Sequence, residues 1–516
     1  MTDPEFPWLS VIGAVPLVGS VAVASVPRGR ELLAKQLAVG VSLVVLALVV
    51  ALGVQFDTDE AGAFQFTEYH KWVPEFGVSY ALGVDGIALV LLALVALLTP
   101  VCLLASWNDI TEAPGARRVQ TFFALMLAVE GILVGVFAAT DVFLFYVLFE
   151  AVLIPMYFII GGFGGAQRSY AAVKFLIYSL LGGLLMLASV IGLYVAGPGG
   201  ETGFLRSTLE GASIDPTTQR WLFLGFFIAF AIKAPLWPLH TWLPDAASEA
   251  PPGGAVMLVG VLDKIGTFGM IAYCLPLFPD ASVWARPVVV VLCVVGVIYG
   301  ALVAIGQADL MRLIAYTSVS HFGFIALGIF AMTSQGQAGS TLYMLSHGFS
   351  TAALFLLAGM LAARRGSRRI ADFGGVQRVA PVLAGLFLMA GLSSLALPGF
   401  SSFVSEFLVL AGTYGRYTVA AIVATLGIVL AALYILIVYQ RVMTGPVAKA
   451  VEGFRDLRPR ELWSVAPVIA LLLALGVAPQ LALDVINPAV DRTLQSVNQG
   501  DPQPDVPATA EQGSGR

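Results

Sequence analysis

The stretch AIKAPLWPLHTWLPDAASEAP (residues 231–251) decides how this chain is read. It continues an apolar run that begins at Trp221, so Lys233 falls where the surrounding residues favour lipid. An ionised side chain at bilayer depth costs from about 2.5 to more than 10 kcal/mol. Pro235 and Pro238 follow at once. Each removes a backbone donor and loosens the helix beside the amine. Freed carbonyls and water can solvate an ammonium there. Burial and a neighbouring carboxylate push a lysine's hold on its proton in opposite directions, so an amine so placed can give up and regain one.

Three further runs carry the same signature. Lys264 interrupts AVMLVGVLDKIGTFGMIAY (255–273), Glu150 interrupts FYVLFEAVLIPMYF (145–158), and Glu406 interrupts FVSEFLVLAG (403–412). Two cations and two anions inside apolar segments mark an ion pathway, because such residues face a bundle interior or water.

With 58% hydrophobic and 11% charged residues, the 516-residue chain is an integral membrane protein; soluble domains hold roughly 25% charged residues. Fourteen apolar runs are long enough to span, centred near residues 17, 45, 93, 129, 150, 182, 230, 264, 295, 321, 350, 393, 430 and 473. Their continuity predicts helices rather than the alternating strands of a barrel. The expected fold is all-α and polytopic.

Basic residues set the orientation. Loops after odd-numbered helices hold Arg28, Arg30, Lys35, Arg117, Arg118, Arg168, Lys174 and Arg312, then Arg364, Arg365, Arg368, Arg369 and Arg378, then Arg441, Lys449, Arg455, Arg458 and Arg460. Loops after even-numbered helices hold only Lys71, Arg206, Arg220, Arg286 and Arg416. Odd loops are therefore expected on the cytoplasmic side and both termini outside. The acidic PDAASEAPP after helix 7 is the exception. The start MTDPEFPW lacks a basic n-region, so the first apolar run is expected to be retained. Residues 56–76 are polar and acidic, enough to cap the outer face, and 491–516 read as a disordered tail.

A faint repeat is present. AIKAPLWPLHTWLP in helix 7 and SLALPGFSSFVSEFL in helix 12 both set proline among small residues, five helices apart. An odd offset inserts successive five-helix units with opposite orientation. Interrupted helices at matching places in inverted halves point to a transport site.

Among secondary candidates, Glu130 (FALMLAVEGILVG) and the histidines His240, His321 and His347 lie in spans. Histidine relays protons near neutral pH; it also hydrogen-bonds quietly or ligates haem. Glu150 needs a cation unless it stays protonated, and Lys233 is its expected partner. Asp263 precedes Lys264, but adjacent helix residues point about 100° apart, so its partner is left open. Cys102, Cys274 and Cys293 read as core thiols. The sequence carries no Walker loop, no dinucleotide fingerprint, no iron–sulfur cysteine set and no metal-binding histidine cluster. GGFGGAQ (161–167) is a loop between spans. No basic patch suggests nucleic acid.

GVDGIAL (83–89), FYVLFEAVLIPMYFIIG (145–161), the helix 7 stretch, SVSHFGF (318–324) and LALPGFSSFVSEF (395–407) resemble the antiporter-like membrane subunits of NADH–quinone oxidoreductase, respiratory complex I. The resemblance spans residues 80 to 445. Glu406, where most sibling subunits have lysine, points to the subunit M branch. The resemblance implies about 14 transmembrane helices with helices 7 and 12 discontinuous. It divides the chain into helices 1–3 and an outer loop (1–116), inverted five-helix repeats (117–280 and 281–445), helix 14 (446–490) and the tail (491–516). It implies proton transfer through Glu150, Lys233, Lys264 and Glu406, with Glu130, His240, His321 and His347 as secondary relays. Asp263 is not part of the family pattern. No cofactor is expected on this chain; FMN, iron–sulfur clusters and quinone belong to partner subunits. The expected partners are those subunits, neighbouring antiporter-like chains and lipids, in a bacterial cell (inner) membrane. The alternatives are a sodium–proton antiporter subunit, a passive scaffold and a haem-bearing quinol protein.

Overall fold

The computed structural model describes residues 6–110 and 118–502. Twelve of its helices are long and apolar enough to cross a membrane. In chain order these and their connections are α1 (Trp8–Ser25), α2 (Glu31–Gln55), strands β1 (Gln65–Val73) and β2 (Val78–Val84), α3 (Gly86–Ala105), α4 (Arg118–Ala138), α5 (Val142–Phe163) and α6 (Arg168–Ala196). Next come α7a (Pro216–Lys233) and α7b (Leu243–Glu249), then α8 (Pro252–Leu277), α9 (Pro279–Ile305), α10 (Leu310–Ala331) and α11 (Ser334–Arg365). The chain closes with α12a (Pro381–Ser394), α12b (Ser401–Tyr414), α13 (Thr418–Met443), α14 (Pro459–Val477) and α15 (Gln480–Ser496). The two interrupted helices, 7 and 12, bring the twelve to the fourteen expected.

The prolines cause both interruptions. Pro235 cannot donate, and the Leu236 N–H reaches back instead to the Ala231 carbonyl at 2.9 Å. The Ile232 carbonyl, freed in the same turn, accepts the buried Trp242 indole N–H at 2.9 Å. Helix 12 stops at Ser394, and Gly399 takes φ +102° within the break. Only glycine adopts that backbone without strain.

Burial ranks the helices by depth. The most apolar windows of α8 and α11 are entirely buried and that of α10 is 94% buried, against 28% for α1 and α2. The rim presents Val50 and Val54 of α2, Leu184 and Val195 of α6, and Leu426 and Val429 of α13. Large exposed aliphatic side chains over helical rims suit a lipid surface. α6 packs along α7a, and its counterpart α11 along α12a and α12b. Cys102, Cys274 and Cys293 are buried free thiols.

Two features depart from the sequence reading. The outer-loop segment forms an antiparallel hairpin, β1 on β2. Its Glu68 accepts from the Leu9 N–H at 2.7 Å at the start of α1. Asp141 accepts from the Ser79 N–H while capping α5 through Phe143 and Leu144, all at 2.9 Å. The other departure is α15, which continues the helix through 491–496 where an irregular tail was expected. Its Arg492 binds the Gly62 carbonyl at 3.0 Å and Glu210 at 3.2 Å. These contacts order a polar segment whose composition alone favours disorder. Residues 503–516 of that tail and Arg117 lie outside the described residues.

Candidate functional site

The buried central helices carry the polar residues. Lys233 ends α7a, is fully buried and holds its Nζ 4.5 Å from the centroid of the Phe149 ring. Among the described residues its amine has no hydrogen-bond partner, and neither does Glu150 Oε1. Glu150 and Lys233 are electrostatic neighbours, but among the described residues no ion pair within 4.0 Å joins them; the expected contact is an apposition across a gap. Gly183 of α6 makes room for the Glu150 carboxylate, since a Cβ at 183 would overlap it.

Lys264 is anchored differently. Its Nζ donates to the Val259 carbonyl at 2.7 Å and lies 2.7 Å from His347 Nδ1. The face of the Phe322 ring is 5.1 Å away. Around it α8 widens to π-helix at Val256–Leu262 and Met270–Cys274. Such widened turns recur at functional sites.

From His347 the polar groups continue into the second half. Its ring lies 5.4 Å from that of His321, centroid to centroid. His321 Nδ1 is 2.7 Å from the Tyr343 hydroxyl, which donates to Glu406 Oε2 at 2.9 Å. His321 Nε2 faces Ser394 Oγ at 3.3 Å, at the break in helix 12. A hydroxyl has one proton. With Glu406 ionised, that proton is donated to the carboxylate and the oxygen accepts from His321, an arrangement that assigns Nδ1 as the protonated nitrogen.

Glu130 and His240 stand apart from these bonds. Glu130 has Thr99 as its polar neighbour, and among the described residues neither His240 nitrogen has a hydrogen-bond partner. His240 sits in the helix 7 break, 5.0 Å from the ring of Tyr299. Asp263 is fully buried, and among the described residues neither of its oxygens has a hydrogen-bond partner.

Sequence reasoning missed Tyr343. It stands four residues before His347, on the same face of α11, which is the signal that could have found it. The acidic exception after helix 7 is resolved by packing. Asp245 binds Lys174 at 2.7 Å and Arg312 at 2.5 Å, and Glu249 binds Arg368 at 2.8 Å. The glycine-rich loop wraps Glu249, whose carboxylate accepts from the Gln167 N–H at 2.8 Å. Among the described residues, no group of three or more His, Cys, Asp or Glu could hold a metal ion.

Residues 139–431 match the family model described as NADH:quinone oxidoreductase/Mrp antiporter, transmembrane. The chain belongs to that family. Relatives include the NADH-quinone oxidoreductase subunit M of Mycobacterium tuberculosis, 54% identical, with 97% of this chain and 96% of that protein covered. Subunit M of Rhodobacter capsulatus is 39% identical, with 95% and 96% covered. A chain of respiratory complex I from Thermus thermophilus superposes with a TM-score of 0.85 at 31% identity, covering 95% of this chain and 99% of that one. A chain of the Mrp complex from Dietzia shares the fold, with a TM-score of 0.83 at 24% identity and 95% and 99% covered. The family match contains Glu150, Lys233, His240, Lys264, His321, His347 and Glu406; Glu130 falls before it.

Proposed function

We propose that this chain is the proton-translocating subunit M of an NADH–quinone oxidoreductase, coupling quinone reduction elsewhere in the complex to proton transfer through its buried polar residues. The observation that carries the reading is the hydrogen-bonded series through the fully buried centre: Lys264 to His347 on one side, and His321 through Tyr343 to Glu406 on the other. Lys233 and Glu150 stand ahead of that series without a hydrogen bond to it. A change in charge on a neighbouring subunit moves Glu150 relative to Lys233 and alters how firmly the amine holds its proton. The proton passes to Lys264 and His347, and water or ring motion carries it to His321. As His321 Nδ1 gives its proton to the Tyr343 oxygen, the Tyr343 hydroxyl proton moves to Glu406. Glu406 then releases it outward.

In this reading the chain holds no redox cofactor; FMN, iron–sulfur clusters and quinone sit on partner subunits. The two five-helix units, 117–280 and 281–445, supply the two halves of the path. Both termini lie on the outer side of a bacterial cell membrane. The sodium–proton antiporter alternative rests on a shared fold, and Glu406 argues against it.

The test uses assembled complex in inside-out membrane vesicles. Lys233→Ala or Glu150→Ala should abolish most NADH-driven acidification while complex content persists. Normal acidification from either variant, at full complex content, eliminates the scheme.

A further inference from the structure

We propose that Asp263 carries the proton from Lys233 to Lys264. This rests on the proton-transfer reading above and adds a residue that the reading does not use.

Asp263 faces the first lysine. Gly266, three residues on and on the same side of α8, is pressed against α7a so closely that a Cβ there would overlap the Phe230 carbonyl and Ala234. Ala234 follows Lys233 directly. Lys264, rotated by about 100°, points instead toward α11 and His347. The carboxylate therefore stands on the α7a side of α8, with the second amine on the adjoining residue, and it is an electrostatic neighbour of both lysines.

Charge demands such a group. The polar contacts of the Lys264 amine are neutral acceptors, the Val259 carbonyl and His347. A buried ammonium without an anion is strongly unfavourable, and Asp263 is the carboxylate next to it in the chain. Yet Asp263 is not fastened as a fixed counter-ion would be. Among the described residues neither oxygen has a hydrogen-bond partner, and the Lys233 amine has none either. Buried polar groups are otherwise nearly always paired, so this carboxylate is committed to neither lysine. Its own backbone N–H bonds the Leu258 carbonyl, 3.1 Å away in the wide π pattern, at the end of the widened turn.

The step balances. The Lys233 ammonium gives H⁺ to the Asp263 carboxylate, leaving a neutral amine and a carboxylic acid. The acid then gives that proton to a neutral Lys264 amine, and the carboxylate is restored.

The experiment compares D263N, D263E and D263L with K233A in assembled complex in inside-out vesicles. Acidification is measured per NADH oxidised and normalised to complex content. A merely structural role would change content, not this ratio. D263N is expected to lose at least about tenfold of the ratio, with D263E keeping most of it. D263L removes the unpaired polar group altogether and should fail like D263N; it decides the matter if D263N does not assemble. Parental ratios in D263N or D263L, with K233A defective, overturn the proposal and leave the wider reading standing. A parental ratio in K233A overturns both.

Discussion

Tyr343→Phe removes one oxygen and leaves the ring in place against Phe324, 6.3 Å away centroid to centroid. That oxygen makes the 2.7 Å bond to His321 and the 2.9 Å bond to Glu406. A hydrogen bond to a charged group contributes about 1.5–3 kcal/mol. If proton passage to Glu406 requires that bond, its loss raises the barrier by a similar amount. Each ~1.4 kcal/mol is a tenfold change in rate, so this step should slow by roughly ten- to a hundredfold. The assay is NADH-driven acidification of inside-out vesicles, with NADH oxidation by an artificial acceptor as the control for intact upstream chemistry. Acidification should fall while the acceptor reaction keeps its parental rate. Tyr343→Phe complexes that assemble fully and acidify at the parental rate would refute the claim that the hydroxyl conducts the proton.

Glu406→Gln should impair acidification, whereas Glu406→Lys should retain part of it, because lysine also exchanges protons; equal acidification by Glu406→Gln and the parent excludes Glu406 as the exit group. Gly183→Val should reproduce the Glu150→Ala defect without touching the acid, since the new side chain occupies the space of the carboxylate; unimpaired pumping would show that Glu150 need not stay where it is. Asp245→Ala leaves Lys174 and Arg312 facing each other without their shared anion. The three side chains are partly screened, so the expected loss is about 1–3 kcal/mol, read as a lower melting temperature of the solubilised complex with the acidification ratio preserved.

The sequence by itself determined the membrane class, the helix count and the depth of the key residues. A charge inside some twenty apolar residues is conspicuous in one dimension because the cost of burying it is local. Pro235, Pro238 and Pro398 made the two helix breaks legible for the same reason: a missing N–H acts within a turn of where it occurs. The acidic loop after helix 7 could not be explained that way, because its partners Lys174, Arg312 and Arg368 come from distant segments. The helical path of α15 likewise depends on Gly62 and Glu210, far off in the chain. Tyr343 was not singled out in the sequence, and folding sets it between His321 and Glu406. Tertiary structure alone decided which buried groups touch, since hydrogen bonds demand matched distance and direction between residues that no sequence pattern brings together.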